Sequence, residues 1–264
     1  STPCDALLAT APDESKLPFL RSLALHGVPI DHEGLTVEIL EDLANSKGLP
    51  LRREAIRTLA MHRSPKRSEA LAAIAADTEL DASLRADAIA GLSAFADSNE
   101  ALLRQLASSS ETTVAKEAKR SLAAAGLETR DLATKPPFTD TSAWETMLRD
   151  LPSEPNLVSG RRLFFHSRLA TCANCHSMNG RGLEVGPDLT TIGQQAGGGY
   201  YWLLKHVLDP NAEAAPYFRP QMITTKDGQT RMGFILGKEG QAQGYIGPDG
   251  TTFSVLKTDV TARE

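Results

Sequence analysis

Apolar residues in the first half of the chain recur at helical spacing. In Leu51-Arg-Arg-Glu-Ala55-Ile-Arg-Thr-Leu59, Leu84-Arg-Ala-Asp-Ala88-Ile-Ala-Gly-Leu92 and Val114-Ala-Lys-Glu-Ala118-Lys-Arg-Ser-Leu122 they fall at i, i+4 and i+8. That spacing is one stripe along a helix. The matching alanines lie 33 and then 30 residues apart. A second helical stretch sits between copies, at 68–76 and 99–107, and the segments 14–26 and 35–44 read as an earlier, more degenerate pair. A helix pair recurring at this period predicts an α-solenoid over residues 1–130, with an alanine-rich bundle as the alternative. Past residue 217 the period changes to two. Met222 to Thr225, the alternating Met232, Phe234 and Leu236, and Thr251 to Leu256 read as strands, with turns at Asp227-Gly228, Glu239-Gly240 and Pro248-Asp-Gly250. This predicts a small antiparallel sheet of about four strands, with Met232 in its core.

Between these regions, residues 131–156 read as a joint. Lys135-Pro136-Pro137, Pro152 and Pro155 break helices, and one short helix from Thr141 to Asp150 fits between them. Thr141 or Ser142 is its expected N-cap, with Trp144, Met147 and Leu148 on the buried face. Two further helices are expected, at 157–167 and 200–208, separated by a glycine-rich loop over 179–199.

The chain has 264 residues and a formal net charge of −5, with 41% hydrophobic and 23% charged residues. This is globular composition, and its mild acidity argues against nucleic acid as a partner. No run approaches the roughly 18 apolar residues of a membrane span, and no leader-like segment opens the sequence given. Three cysteines are too few for a disulfide scaffold. Cys4 has no partner in view, and the other two stand in Cys172-Ala-Asn-Cys175-His176.

That pentapeptide carries the chemistry. Two thiols three positions apart can each add across a haem vinyl group, and the adjacent imidazole then binds the iron. A thioredoxin-like redox pair would want a helix starting at Cys172, and the glycine-rich segment gives none. Structural zinc would want a second ligand pair, which the sequence lacks. Cys172, Cys175 and His176 are therefore expected to hold one covalent haem c, with His176 as proximal ligand. Such a histidine donates its other ring N–H to a carbonyl, and Pro187 is the expected acceptor. Gly180, Gly182 and Gly186 suit backbone that must run close to the macrocycle. Tyr200, Tyr201 and Trp202 are candidates for the wall of the haem pocket, with Tyr201 and Trp202 expected to contact the cofactor.

The helical copies resemble HEAT repeats, with Arg85 and Ala88 in an R-x-x-A arrangement. A second resemblance rests on Gly160-Arg-Arg-Leu-Phe-Phe-His166, the pentapeptide, Asn179-Gly-Arg-Gly182, Gly186-Pro-Asp-Leu189 and Ile192-Gly193. It continues through Asp209-Pro210, Ala214-Ala-Pro216 and Thr225-Lys-Asp-Gly228 to Gly233. These residues look like the haem-binding cytochrome c domain found in Planctomycetes and Verrucomicrobia. The resemblance implies a mainly α protein: a HEAT-like solenoid, then a class I cytochrome c-like domain over 157–264. In that domain 157–216 would bind haem and 217–260 would form a β insertion. It also implies a periplasmic or otherwise extracytoplasmic location. Electrons would come from a redox partner or an upstream dehydrogenase module.

The sixth iron ligand stays open. Such cytochromes carry a Met-Pro segment and a crossing C-terminal helix, and the sequence given reaches Glu264 without either. A residue beyond 264, Met222, His206 or no protein group at all are the alternatives. Met178 lies too near His176 to cross to the other haem face, and His166 could approach a haem edge or propionate. An electron carrier is the expected activity. A haem enzyme with an open, peroxidase-like iron site and a repeat-based interaction module are the alternatives.

Overall fold

The computed structural model describes residues 2–128, 135–151, 155–166, 168, 170–195, 199–209, 219–248 and 251–264. Expectations placed on Pro152, Ser167, Gly197, Gly198, Pro210 and 214–216, and on the His166 side chain, fall outside what is described. The chain is mainly helical with a small antiparallel sheet. It divides into two compact units, Ser1–Asp131 with Leu157–Thr171, and Leu132–Asn156 with Cys172–Glu264.

The first unit is built from helix pairs: α1 (Pro3–Thr10) with α2 (Pro18–Gly27), α3 (Val37–Ala44) with α4 (Leu49–Met61), α5 (Arg67–Ala76) with α6 (Ala82–Leu92), and α7 (Glu100–Ala107) with α8 (Thr112–Ala124). The second helices of successive pairs also pack in series, α2 on α4, α4 on α6 and α6 on α8. The apolar stripe read from sequence is the core, with Leu51, Ala55, Leu59, Leu84, Ala88, Leu92, Val114, Ala118 and Leu122 all buried. Small residues set the approach of neighbouring helices. A Cβ on Gly91 would lie 2.7 Å from that of Ala60.

Two polar devices repeat with the helices. A helix ends with carbonyls that have no partner in the helix, and a cation there satisfies them. Arg21, Arg52 and Arg85 each donate Nε to a carbonyl at the end of the preceding helix, Ala11, Ala44 and Ala75, at 2.8, 3.1 and 3.0 Å. Each arginine stands three residues before a buried alanine, so the R-x-x-A arrangement occurs three times: Arg21/Ala24, Arg52/Ala55 and Arg85/Ala88. In the fourth copy Ala115 stands at the arginine position.

The second device is a ladder of charge. An acid directly precedes the repeat alanine at Glu54, Asp87 and Glu117, and a base follows two positions after it at His26, Arg57 and Arg120. The base of one copy meets the acid of the next: His26 Nδ1 is 2.9 Å from Glu54 Oε1, and Arg57 Nε is 3.0 Å from Asp87 Oδ2. The third copy has Ala90 where the base would be. Helix α10 (Leu157–His166) packs on α6 and α4, and its Arg162 fills that rung. Arg162 donates Nη1 to Asp87 Oδ1 at 3.2 Å and Nε to Glu117 Oε2 at 2.7 Å, and all three groups are buried.

Helix α10 belongs to the compact unit of the repeats, because a buried guanidinium must stay with its two carboxylates.

In the second unit α9 (Thr141–Arg149) packs on α12 (Gly199–Leu208), with the short α11 (Ile192–Gln195) before it. Asp140, rather than Thr141 or Ser142, caps α9, its Oδ1 accepting from the Ala143 N–H at 2.9 Å. Of the expected buried face, Trp144 and Met147 are half-buried and Leu148 is exposed. Trp144 Nε1 donates to the Pro137 carbonyl, and its ring stacks on Phe138.

Among the described residues the sheet has five strands, one more than expected: β3 (Gln221–Thr225), β4 (Thr230–Glu239), β5 (Ala242–Ile246), β6 (Thr252–Leu256) and β7 (Val260–Arg263), in the order β6-β5-β4-β3-β7. The expectation of a core position for Met232 is corrected. Met222 and Met232 are cross-strand partners and are 42% and 41% exposed, while Ile223 and Tyr245 on the other face are buried. Alternation shows which residues share a face but not which face is covered.

The Arg162 rung yields a stability prediction. Arg162→Met leaves Asp87 and Glu117 with only Arg57 and Arg120 as cations among the described residues and is expected to destabilise the chain by about 1.5–3 kcal/mol, with Arg162→Lys losing less. Urea denaturation of the three proteins measures it. Equal midpoints for wild type and Arg162→Met would contradict a structural role for the rung.

Candidate functional site

The pentapeptide forms one tight turn. Thr171, just before it, has φ of 50° and starts a sharp change of direction. Cys172–Asn174 is a single 3₁₀ turn, and the Cys172 carbonyl accepts from the N–H groups of both Cys175 (3.1 Å) and His176 (2.9 Å). Ala173 is buried, whereas Cys172, Cys175 and His176 are half-buried, so the three chemically active side chains leave the turn partly accessible. Neither cysteine is joined in a disulfide. Burial pushes the Cys172 thiol above its ordinary value, and neighbouring Cys175 adds to the rise. A nucleophilic redox cysteine needs the opposite shift.

A hairpin follows. Strands β1 (Ser177–Met178) and β2 (Arg181–Gly182) pair antiparallel around Asn179 and Gly180, with φ of 53° and 72°. Two positive φ values in a two-residue turn are the type I′ conformation that Asn-Gly favours. The expectation of an undivided glycine-rich loop missed this hairpin, although Asn-Gly is its local signal. The returning chain is stitched back to the pentapeptide, Leu183 N to Ala173 O at 2.9 Å and Gly186 N to Cys175 O at 2.6 Å.

These stitches bring Pro187 to the histidine. His176 Nδ1 lies 2.8 Å from the Pro187 carbonyl oxygen. A carbonyl only accepts, so in the neutral ring Nδ1 carries the proton and Nε2 keeps a lone pair available to a metal. Two glycines make room for this arrangement. A Cβ on Gly186 would lie 2.6 Å from His176 Cε1 and 2.8 Å from Nδ1. Gly182 has φ of 104°, and a Cβ there would collide with the His176 carbonyl. Ser177 donates to Asp188 Oδ2 at 2.8 Å, and the Thr190 N–H donates to Asp188 Oδ1 at 2.8 Å, closing the loop beyond Pro187.

The other expected site residues are spread over the second unit. Tyr201 and Trp202 lie on α12, Tyr201 being 40% exposed and Trp202 half-buried. Among the described residues, no hydrogen bond or ring stacking joins either to His176. His206 is turned onto its own helix, with Nδ1 2.8 Å from the Trp202 carbonyl oxygen and its ring 4.0 Å from the Trp202 ring. Met178 sits in β1 and Met222 in β3. No group of three or more His, Cys, Asp or Glu converges as a metal cluster among the described residues, and a tetrahedral zinc site needs four such ligands.

The residues present fit a c-type haem. The turn supplies two thiols three positions apart, an imidazole whose Nδ1 is turned to a carbonyl, and a glycine where the returning loop crosses the ring, at which a Cβ would collide. Exposed Tyr200, Tyr201 and Val207 give α12 apolar surface of the kind a flat macrocycle buries.

No protein-family model matches the chain, and no curated protein matches it by sequence. Among solved structures it is similar to human deoxyhypusine hydroxylase in complex with glycerol, at 19% identity and a TM-score of 0.44, over 61% of this chain and 60% of that one. The chain thus spans about three fifths of the structure it matches.

Two predictions follow from the local geometry. Hydrogen bonds from Thr190 and Ser177 hold the Asp188 carboxyl below its ordinary 3.8. A depressed carboxyl stabilises its loop fully above the ordinary value and loses that contribution as pH falls through the lower folded value. The protection factor of the Thr190 amide, which removes the intrinsic pH dependence of exchange, is expected to stay constant from neutral pH down to 3.8 and to fall only below it. Asp188→Asn is expected to remove this pH step, and a wild-type step near neutrality would contradict the assignment. Separately, Gly186→Ala is expected to displace the His176 ring and break its bond to Pro187. The imidazole nitrogen shifts in NMR measure this, and shifts identical to wild type would contradict the contact.

Proposed function

We propose that this chain is an extracytoplasmic electron-transfer protein carrying one covalent haem c, bound by Cys172, Cys175 and His176. The observation that carries the reading is the Cys-x-x-Cys-His turn in which His176 Nδ1 faces the Pro187 carbonyl at 2.8 Å. Cys172 and Cys175 would hold the group through thioethers, and His176 Nε2 would be its proximal ligand. The haem supplies reversible one-electron chemistry.

The chain's own residues supply the rest. The Pro187 carbonyl fixes the imidazole's rotation. Gly182 and Gly186 let the returning loop approach the histidine without displacing it. Burial holds the Cys172 thiol above its ordinary value, the reverse of the shift a nucleophilic redox cysteine needs. Tyr201 and Trp202 on α12 are proposed to pack on the macrocycle. Its sixth ligand would be Met222, a residue beyond 264, or none. His206 is a weaker candidate, since its ring is engaged with Trp202.

We read the first unit as HEAT-like repeats that hold this haem-bearing unit beside a redox partner, such as an upstream dehydrogenase module. The threefold R-x-x-A clasp supports that reading.

Cys172→Ala and Cys175→Ala, made singly in a host able to mature c-type cytochromes, are each expected to lower the yield of acid-stable haem. The double variant is expected to retain none. Haem absorbance after acid–acetone extraction measures the outcome. Haem that resists extraction in the double variant would contradict the thioether assignment.

A further inference from the structure

Among the described residues, four hydrogen bonds fasten the segment that starts at His176 to the loop that returns past it, and they run in step. His176 Nδ1 faces the Pro187 carbonyl, Ser177 Oγ donates to Asp188 Oδ2, the Leu189 N–H donates to the Ser177 carbonyl, and the Asn179 N–H donates to Thr190 Oγ1, each at 2.8 Å. Only the first of these uses a ring that can bind a metal. The second differs from the rest in what it joins. Asp188 is exposed, yet its carboxylate reaches the hydroxyl of Ser177, a residue only 2% exposed. Its other oxygen accepts from the Thr190 N–H at 2.8 Å. One short side chain is therefore pinned at both ends, to the residue beside His176 and to its own loop.

This double anchorage bears on the Pro187 carbonyl. That carbonyl lies in the rigid peptide plane between Pro187 and Asp188. The pyrrolidine ring fixes φ at Pro187, so ψ there decides where the oxygen points. Rotation of ψ at Pro187 against φ at Asp188 would swing the whole plane like a crankshaft. The Leu189 bond holds the chain one residue further on and leaves that motion open. The Asp188 carboxylate closes it, because the plane cannot swing without breaking a bond to Ser177 or Thr190.

We propose that Asp188 is a positioning residue for His176: through Ser177 and Thr190 it aims the Pro187 carbonyl at Nδ1, and so keeps Nε2 as the nitrogen that meets a metal. It acts on the histidine with or without a bound group; its bearing on an iron rests on the haem-carrying function proposed for this turn. The role is geometric rather than ionic. Asparagine has the same shape, with Oδ1 to accept from the Thr190 N–H and Nδ2 to donate to Ser177 Oγ, since a hydroxyl also accepts. Alanine loses both bonds.

The ring nitrogens of His176 in the nitrogen-15-labelled 264-residue chain test this by NMR. Where the chain carries no haem and the ring is neutral, the wild type is expected to show widely separated shifts, with Nδ1 protonated. Asp188→Ala is expected to bring the two shifts toward their mean as both tautomers are sampled, and Asp188→Asn to restore the wild-type separation. Where haem is attached, the Nδ1 proton of the ferrous chain is expected to exchange with solvent about tenfold faster in Asp188→Ala and at the wild-type rate in Asp188→Asn. The amides of Leu183 and Gly186, bonded to Ala173 and Cys175, report whether the turn itself is intact. Should Asp188→Ala disturb them, Ser177→Ala, which removes the Oδ2 bond alone, takes its place with the same expected outcome. Wild-type behaviour of the alanine variant overturns the proposal. So does an asparagine variant that behaves like alanine, because charge and not position would then be responsible. A haem-free chain with the expected pattern keeps the positioning role and defeats the electron-transfer reading; a haem-loaded chain indifferent to Asp188→Ala does the reverse.

Discussion

The hydrogen bond between His176 and the Pro187 carbonyl organises the second unit's chemistry. It joins two segments eleven residues apart and chooses which ring nitrogen is protonated. Its geometry depends on everything around it. The Asn179-Gly180 turn reverses the chain, the bond from the Gly186 N–H to the Cys175 carbonyl brings it back, and the missing side chain at Gly186 lets it come close. Asp188 then closes the loop through Ser177 and Thr190. The result is a pre-oriented imidazole beside two thiols, at low conformational cost when a ligand binds.

The first unit solves a different problem with the same economy of means. A stack of short helices exposes helix ends and long seams between neighbours. The arginine clasp neutralises the ends, and the charge ladder holds the seams in register. Where Ala90 breaks the ladder, Arg162 from α10 repairs it, forty-five residues beyond Glu117 and seventy-five beyond Asp87. Arg57 and Arg120 already face these carboxylates, and the buried Arg162 guanidinium bridges the two, so its own burial is compensated only while α10 stays on the repeats.

Much of this was legible in the sequence. The i, i+4, i+8 stripes located the later helices, and alternation located the strands. The repeated alanine marked close approach, and proline after glycine marked a carbonyl within reach of the histidine. Other features carry no local signal. Nothing near Arg162 states that its partners are Asp87 and Glu117; only the empty rung at Ala90 could have suggested a cation from elsewhere. Met232 looked like core because its strand alternates, yet the covered face of the sheet is the one with Ile223 and Tyr245. Asp140 took the cap of α9 from Thr141 because a carboxylate accepts strongly from the N–H groups of the first turn. The hairpin at Asn179-Gly180 was readable, but the run of glycines around it concealed a two-residue turn.

The central claim is that two sulfurs and an imidazole of one short turn hold a haem. Intact-mass measurement of the denatured wild-type protein, purified from a host that matures c-type cytochromes, tests it most directly. The account predicts a chain heavier than its sequence by one haem, with the added mass on the peptide containing Cys172 and Cys175. A chain with the mass of its sequence alone, and colourless, would contradict it.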